Sequence, residues 1–171
     1  MHIVFITHEY PKINQPHGGV GTFVRSIARW LVQNKILVSV VGIYNSQIYE
    51  CEVDKGVKVY RLPNNNIRGM TWYLNFKSIN RKLKEINKEN KIDIIEGSEL
   101  SFAFIKKQKN IKYLIRLHGG HHFFSKSENR KINFWKGYQE KRSFNKADFI
   151  VGVSNYVVEE TSNYINFNMK K

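Results

Sequence analysis

Cysteine is nearly missing from this sequence: Cys51 is the only one in 171 residues. An internal disulfide is therefore excluded, and a reducing cytoplasm is the natural setting. No basic residue or histidine adjoins Cys51, so nothing marks it as a nucleophile. Long apolar runs are missing too. The most apolar stretches, such as residues 36–43, fall far short of the roughly 20 residues a bilayer span requires. The first apolar run has no basic segment ahead of it and reads as a buried strand, not a signal peptide. The length fits one domain with a sizeable core, or one half of a two-domain enzyme.

Acidic residues are scarce. Fourteen Asp and Glu stand against 28 Lys and Arg, leaving a net charge of +14. Lys77, Arg81, Lys84 and Lys88 recur at helical spacing opposite Trp72, Tyr73, Phe76, Ile79, Leu83 and Ile86, which predicts one helix with a core face and a basic face. Further basic clusters contain Lys106, Lys107, Lys109 and Lys112, and then Lys126, Arg130, Lys131, Lys136, Lys141, Arg142 and Lys146. A solvated surface accounts for this charge; attraction to anionic lipid or an acidic substrate is the functional alternative. Nucleic acid is the weakest reading, because no recognised reader motif accompanies the charge.

Strand and helix patterns alternate. Strands are expected near residues 2–7, 36–42, 57–61, 92–96, 112–117 and 148–153, and helices near 19–34, 71–89, 99–108, 129–145 and 155–165. Residues 45–55 and 63–66 read as loops. The alternation predicts an α/β domain: a Rossmann-like, doubly wound, mainly parallel sheet with helices on both faces. Ligands in such domains sit at the carboxyl ends of the strands, so the residues that follow strands deserve the closest reading.

The first strand leads through His8 and His17 into Gly18-Gly19-Val20-Gly21 and a helical pattern. Glycines at a helix start let backbone N–H groups approach an anion, and the positive helix end favours a phosphate. A P-loop is excluded because no Gly-x-x-x-x-Gly-Lys-Ser/Thr string exists. A dinucleotide fingerprint is excluded because Val24 takes the third glycine's place, a long loop intervenes, and the second strand ends in Val41-Gly42-Ile43-Tyr44-Asn45 without an acidic residue. Phosphate contact at Gly18 and Gly19, or glycines that only turn the chain, both remain.

After the fifth strand comes Arg116-Leu117-His118-Gly119-Gly120-His121-His122. His118 stands at the strand's carboxyl end, where a ligand contact is the favoured reading over a packed histidine; His121 and His122 read as loop residues or acceptor contacts. A zinc site wants three or four ligands, and only distant His8 or His17 could complete one, so no metal is expected. Glu96 and Glu99 at the fourth strand's end could accept a sugar hydroxyl, or Glu99 could favour a helix amino end. Ser154 reads as a helix cap first and a polar ligand contact second. Glu140 reads as a surface partner of Lys136, Lys141 or Arg142.

Taken in order, the glycine pair opening the first helix, the Ile95-Glu96 strand end, the Arg116-Leu117-His118-Gly119-Gly120 segment, and Glu140 followed by Ala147-Asp148-Phe149-Ile150-Val151-Gly152-Val153-Ser154 resemble the N-terminal domain of family 4 glycosyltransferases with the GT-B fold. The resemblance implies a two-domain enzyme that moves a sugar from a nucleotide diphosphate sugar to a glycan or lipid-linked acceptor. It further implies retained anomeric configuration, no bound metal or other cofactor, and a role in surface polysaccharide synthesis. It makes residues 1–171 the acceptor half, with Gly18 and Gly19 approaching the donor diphosphate and His118 beside the transferring sugar. His8, His17, Glu96, Glu99, His121 and Ser154 then become acceptor or sugar contacts.

The second domain that would hold the nucleotide has no counterpart here, and residues 166–171 read as a chain that stops. Residues 1–171 alone are therefore expected to show negligible transferase activity. Peripheral contact with the inner face of an anionic membrane is the matching expectation for the basic stripe. Two alternatives stay open. An inverting transferase would need a general base, for which His8 or His17 could serve. A noncatalytic carbohydrate- or anionic-surface-binding module could reuse the same fold.

Overall fold

The computed structural model describes residues 1–12, 18–127, 131, 133–165 and 167. The chain forms two compact units, Met1–Ile95 and Glu96–Lys171. The described residues carry seven strands, mainly parallel, interleaved with helices, the Rossmann-like α/β class expected from the alternation.

In the first unit, β1 (His2–Ile6) is buried along its whole length and pairs in parallel with β2 (Leu37–Tyr44), from His2 opposite Leu37 to Ile6 opposite Val41. β2 pairs in parallel with β4 (Val57–Pro63). α1 (Gly19–Gln33) connects β1 to β2 and buries Gly21, Val24, Ala28 and Leu31, a single stripe at helical spacing. Val24, Ala28 and Leu31 join Ile3, Phe5, Val38, Val40, Val57 and Val59 in one core. α1 ends with the N–H of Ile36 on the Leu31 carbonyl (3.0 Å) and that of Lys35 on Val32 (3.0 Å), with Lys35 at φ 60°. That is a Schellman stop with lysine where glycine is usual.

The loop expected over residues 45–55 contains a strand, β3 (Glu50–Asp54), antiparallel to β4. Cys51 and Val53 are exposed on it, so its sequence lacks the buried alternation that signals a strand. Positive φ at Lys55 (48°) and Gly56 (88°) gives the tight hairpin turn that joins it to β4. α2 (Thr71–Glu89) has the expected bounds, with Ile79, Leu83 and Ile86 buried and Lys77, Arg81, Lys84 and Lys88 exposed. Trp72 and Tyr73, expected on its core face, are exposed instead.

β5 (Ile94–Gly97) reaches into the second unit, where β6 (Lys112–Leu117) and β7 (Phe149–Gly152) pair in parallel from Leu114 opposite Phe149 to Leu117 opposite Gly152. The helix expected over residues 99–108 is absent. Turns with bonds to the third residue back replace it, at Ser101, Ala103 and Ile105. The Phe102 N–H goes to the Ser143 hydroxyl (3.0 Å) rather than to a helical ladder. The helix expected at 129–145 begins later, as α4 (Phe134–Phe144), with Asn133 capping the N–H of Lys136 (3.0 Å). A short α3 (His121–Ser127) precedes it, and α5 (Asn155–Ser162) follows β7.

Candidate functional site

Two sets of candidate residues follow strand ends, one in each unit. In the first unit, Gly18 caps α1 with φ −88° and ψ −178° and no side-chain hydrogen bond, and the first turn carries no acidic residue. Gly18 and Gly19 are exposed. Amide N–H groups at a helix start have no partner within the helix, so this end can receive an anion. The Glu9 carboxylate stands beside this helix start, a neighbour that no sequence pattern signals. A Cβ at Gly18 would lie 2.5 Å from Oε2 of Glu9, whereas at Gly19 nothing comes within 4 Å. At Gly21 a Cβ would lie 1.8 Å from the Glu9 carbonyl oxygen, so glycine there lets α1 pack directly on the chain leaving β1.

That chain is tied to the β3–β4 hairpin. The Tyr10 hydroxyl donates to Asp54 (2.7 Å), Arg29 pairs with both Asp54 oxygens (2.7 and 3.0 Å), and Lys12 pairs with Glu50 (2.6 Å). Burial, and then the Asp54 bond, push the Tyr10 hydroxyl far above its ordinary value. Burial works against the Asp54 charge, yet the bonds from Arg29 and Tyr10 hold its carboxyl below the ordinary range. Arg61, 2% exposed, donates from Nη2 to the Pro11 carbonyl (3.0 Å) and to Glu52 (2.8 Å), and lies over the Tyr44 ring (4.9 Å). Strand alternation with Val57 and Val59 was the signal that puts Arg61 inside. His8 is exposed just after β1; His17 lies outside the described residues.

In the second unit, Glu96 on β5 forms a fork with Arg116 on β6, Nε to Oε1 at 2.6 Å and Nη2 to Oε2 at 3.3 Å. Glu99 begins no helix. Its Oε1 accepts the backbone N–H groups of His118 (2.6 Å) and Gly119 (2.9 Å). Burial raises its proton affinity and the charge of Glu140 adds to this, against the pull of the amides. Gly119, at φ 101°, turns the chain directly after His118. The segment therefore spends two of its amides on Glu99, and the His118 side chain is half-buried. His121 opens α3 and its Nε2 accepts the Asn133 N–H (2.8 Å). Ser154 caps α5 by accepting the Val157 N–H (3.3 Å), as its position suggested.

Glu140 corrects a sequence expectation. It is fully buried rather than paired at the surface, and its Oε2 takes both the backbone N–H (3.1 Å) and the ring Nδ1 of His122. Gly137 and Phe144, three residues before and four after it, share its buried face, and that spacing was the legible signal. Among the described residues no group of three or more His, Cys, Asp or Glu could hold a metal ion. No described helix is long and apolar enough to cross a membrane.

Among solved structures, sucrose-phosphate synthase from Thermosynechococcus elongatus matches 98% of this chain at 15% identity, with a TM-score of 0.79, over 46% of its own length. The catalytic domain of starch synthase IV from Arabidopsis thaliana, bound to ADP and acarbose, matches 87% at 13% identity, with a TM-score of 0.55, over 44% of its length. A ugt transferase from Siraitia grosvenorii in complex with UDP matches 95% at 10% identity, with a TM-score of 0.56, over 44% of its length. These likenesses are of fold, and the chain spans less than half of each of these proteins. No curated protein matches the sequence. The sequence model of Glycosyltransferase Family 4 matches residues 17–171, from just ahead of the Gly18-Gly19 helix start through the His118 segment and beyond Ser154. The chain thus belongs to Glycosyltransferase Family 4.

Proposed function

We propose that this chain is the N-terminal, acceptor-side domain of an enzyme that transfers a sugar, with retention, from a nucleotide diphosphate sugar to a glycan or lipid-linked acceptor in surface polysaccharide synthesis. The uncapped, exposed amino end of α1 at Gly18 and Gly19 carries this reading. A departing diphosphate gathers negative charge, and fixed N–H donors stabilise that charge without reorganising. His118 takes the place beside the transferring sugar, its backbone held by Glu99. Donor binding to a second domain completes the site, and residues 1–171 alone are inactive. No metal or other cofactor takes part.

The acceptor reading extends to a peripheral contact at the inner face of the cell membrane, with the protein itself cytoplasmic. Lys77, Arg81, Lys84 and Lys88 form an exposed basic row on α2, and Ile67, Met70, Trp72 and Tyr73 stand exposed at its amino end. Basic residues beside exposed aromatic and aliphatic ones suit an anionic lipid surface.

The test is a screen of nucleotide diphosphate sugars on the intact protein, with residues 1–171 as control. Turnover by the intact protein that falls at least tenfold in Gly19→Ala and in His118→Ala supports the reading. Product of inverted configuration, or full activity from residues 1–171, overturns it.

A further inference from the structure

We infer that Glu140 is a positioning residue for His118, acting from α4 through the turn that follows β6. The inference rests on the reading of His118 proposed above. A fully buried carboxylate is costly unless it is bonded, and α4 would pack more cheaply with an apolar residue at this position. Among the described residues, both bonds of Glu140 go to one partner: Oε2 accepts the backbone N–H and the ring Nδ1 of His122. His122 is itself buried and stacks on the Tyr164 ring, centroids 6.2 Å apart and planes inclined by 23°.

The other carboxylate oxygen acts by contact. A Cβ at Gly120 would lie 1.7 Å from Glu140 Oε1 and 3.0 Å from Glu99 Cγ. Gly120 is thus wedged between two acidic side chains from different parts of the unit. Glu99 holds the start of the turn through the amides of His118 and Gly119, and Glu140 holds its end through His122. Between the two anchors the chain has little room, because the Phe124 N–H also returns to the Gly120 carbonyl (3.1 Å). Releasing the end at His122 frees Gly120 and, two residues earlier, the backbone that aims His118. His122 and Glu140 serve here as a fixed carboxylate–imidazole strut. Hydrogen-bond geometry, rather than reaction with substrate, is their contribution.

The experiment compares Glu140→Leu with Glu140→Gln. Glutamine keeps one oxygen able to accept both His122 bonds; leucine keeps none. In folded Glu140→Leu, the His118 ring resonances should move or split and amide exchange at His118 and Gly119 should quicken at least tenfold. In the intact protein kcat should fall at least tenfold with KM for the donor within threefold. Glu140→Gln should recover most of each loss. A folded Glu140→Leu with unchanged His118 resonances and amide exchange overturns the inference, as does failure of glutamine to rescue. If leucine prevents folding, the unsubstituted protein decides through the ¹⁵N signals of His122. Nδ1 carrying the proton supports the strut, and a bare Nδ1 overturns it. Should His118→Ala leave kcat intact, the reading of His118 falls, while the resonance and exchange measurements still judge the role of Glu140.

Discussion

Glu99 reaches across 19 positions of sequence to place one carboxylate oxygen, Oε1, 2.6 Å from the backbone nitrogen of His118. The bond is made at a cost, because Glu99 is 4% exposed and its proton affinity is raised by burial and by Glu140. A carboxyl whose folded pKa lies above its ordinary value binds its proton more tightly in the native state. Stability therefore declines as pH rises from the unfolded pKa through the folded one, and the deficit persists at neutral pH. Glutamine offers the same accepting oxygen without the charge. Glu99→Gln should melt higher than the parent at pH 7–8, and that advantage should vanish below about pH 4. Thermal unfolding followed by circular dichroism across this range checks it, and an advantage that grows on acidification would contradict the account.

The same residue shows how far the sequence can be read. Short apolar runs announced six of the seven described strands, and helical periodicity announced the buried stripes of α1 and α2. β3 escaped because an edge strand with Cys51 and Val53 in solvent has no buried face to announce it. Glu99 and Glu140 sat in plain view as charged residues, one just after β5 and the other inside α4. Their roles depend on partners 19 and 18 positions away, which no local pattern encodes. The helix expected after Glu99 failed for a similar reason: Ser143, 41 positions on, takes the N–H of Phe102.

Three glycines near the start of α1 should respond differently to alanine. Gly21→Ala sets a Cβ 1.8 Å from the Glu9 carbonyl oxygen, and relieving such a contact should cost at least ~2 kcal/mol, as overpacking does. Gly19→Ala meets nothing within 4 Å and should leave the melting temperature near the parent's while weakening nucleotide binding. At Gly18 the obstacle is the Glu9 carboxylate, whose charge would oppose the diphosphate proposed to bind there. Glu9→Gln should tighten binding of a nucleoside diphosphate by the intact protein severalfold at low salt, measured by calorimetry. Weaker binding in that variant would mean that Glu9 assists the ligand.

Lys35 is an exposed lysine held at φ 60° to end α1. The left-handed conformation costs a residue with a Cβ roughly 1–2 kcal/mol, and glycine escapes this while losing more freedom on folding. Lys35→Gly should stabilise the protein by about 0.5–1 kcal/mol, a rise of ~1–4 °C in melting temperature for a chain of this size. The backbone bonds from Lys35 to Val32 and from Ile36 to Leu31 remain available to glycine. A lower melting temperature in Lys35→Gly would show that the lysine side chain contributes more than its strained backbone costs.

Lys146 donates from Nζ to the carbonyls of Ala103 (2.9 Å) and Ile105 (2.8 Å), and Arg142 shares the first of these through Nε (2.7 Å). Burial, and then the neighbouring Arg142 charge, bring its pKa down from an ordinary 10.5 to about 8. Between those two values the unfolded chain holds a proton that the native chain has released. Stability attributable to Lys146 therefore increases as pH rises from about 8 to 10.5, the reverse of a lysine that gains an acidic partner. Lysine ε-carbon resonances followed against pH should show one midpoint near 8, and Arg142→Gln should move it upward. The melting temperature of the parent relative to Lys146→Met should climb across the same interval. A Lys146 midpoint at 10 or above would mean that the two carbonyls outweigh burial, and the pH-dependent gain over Lys146→Met would then disappear with it.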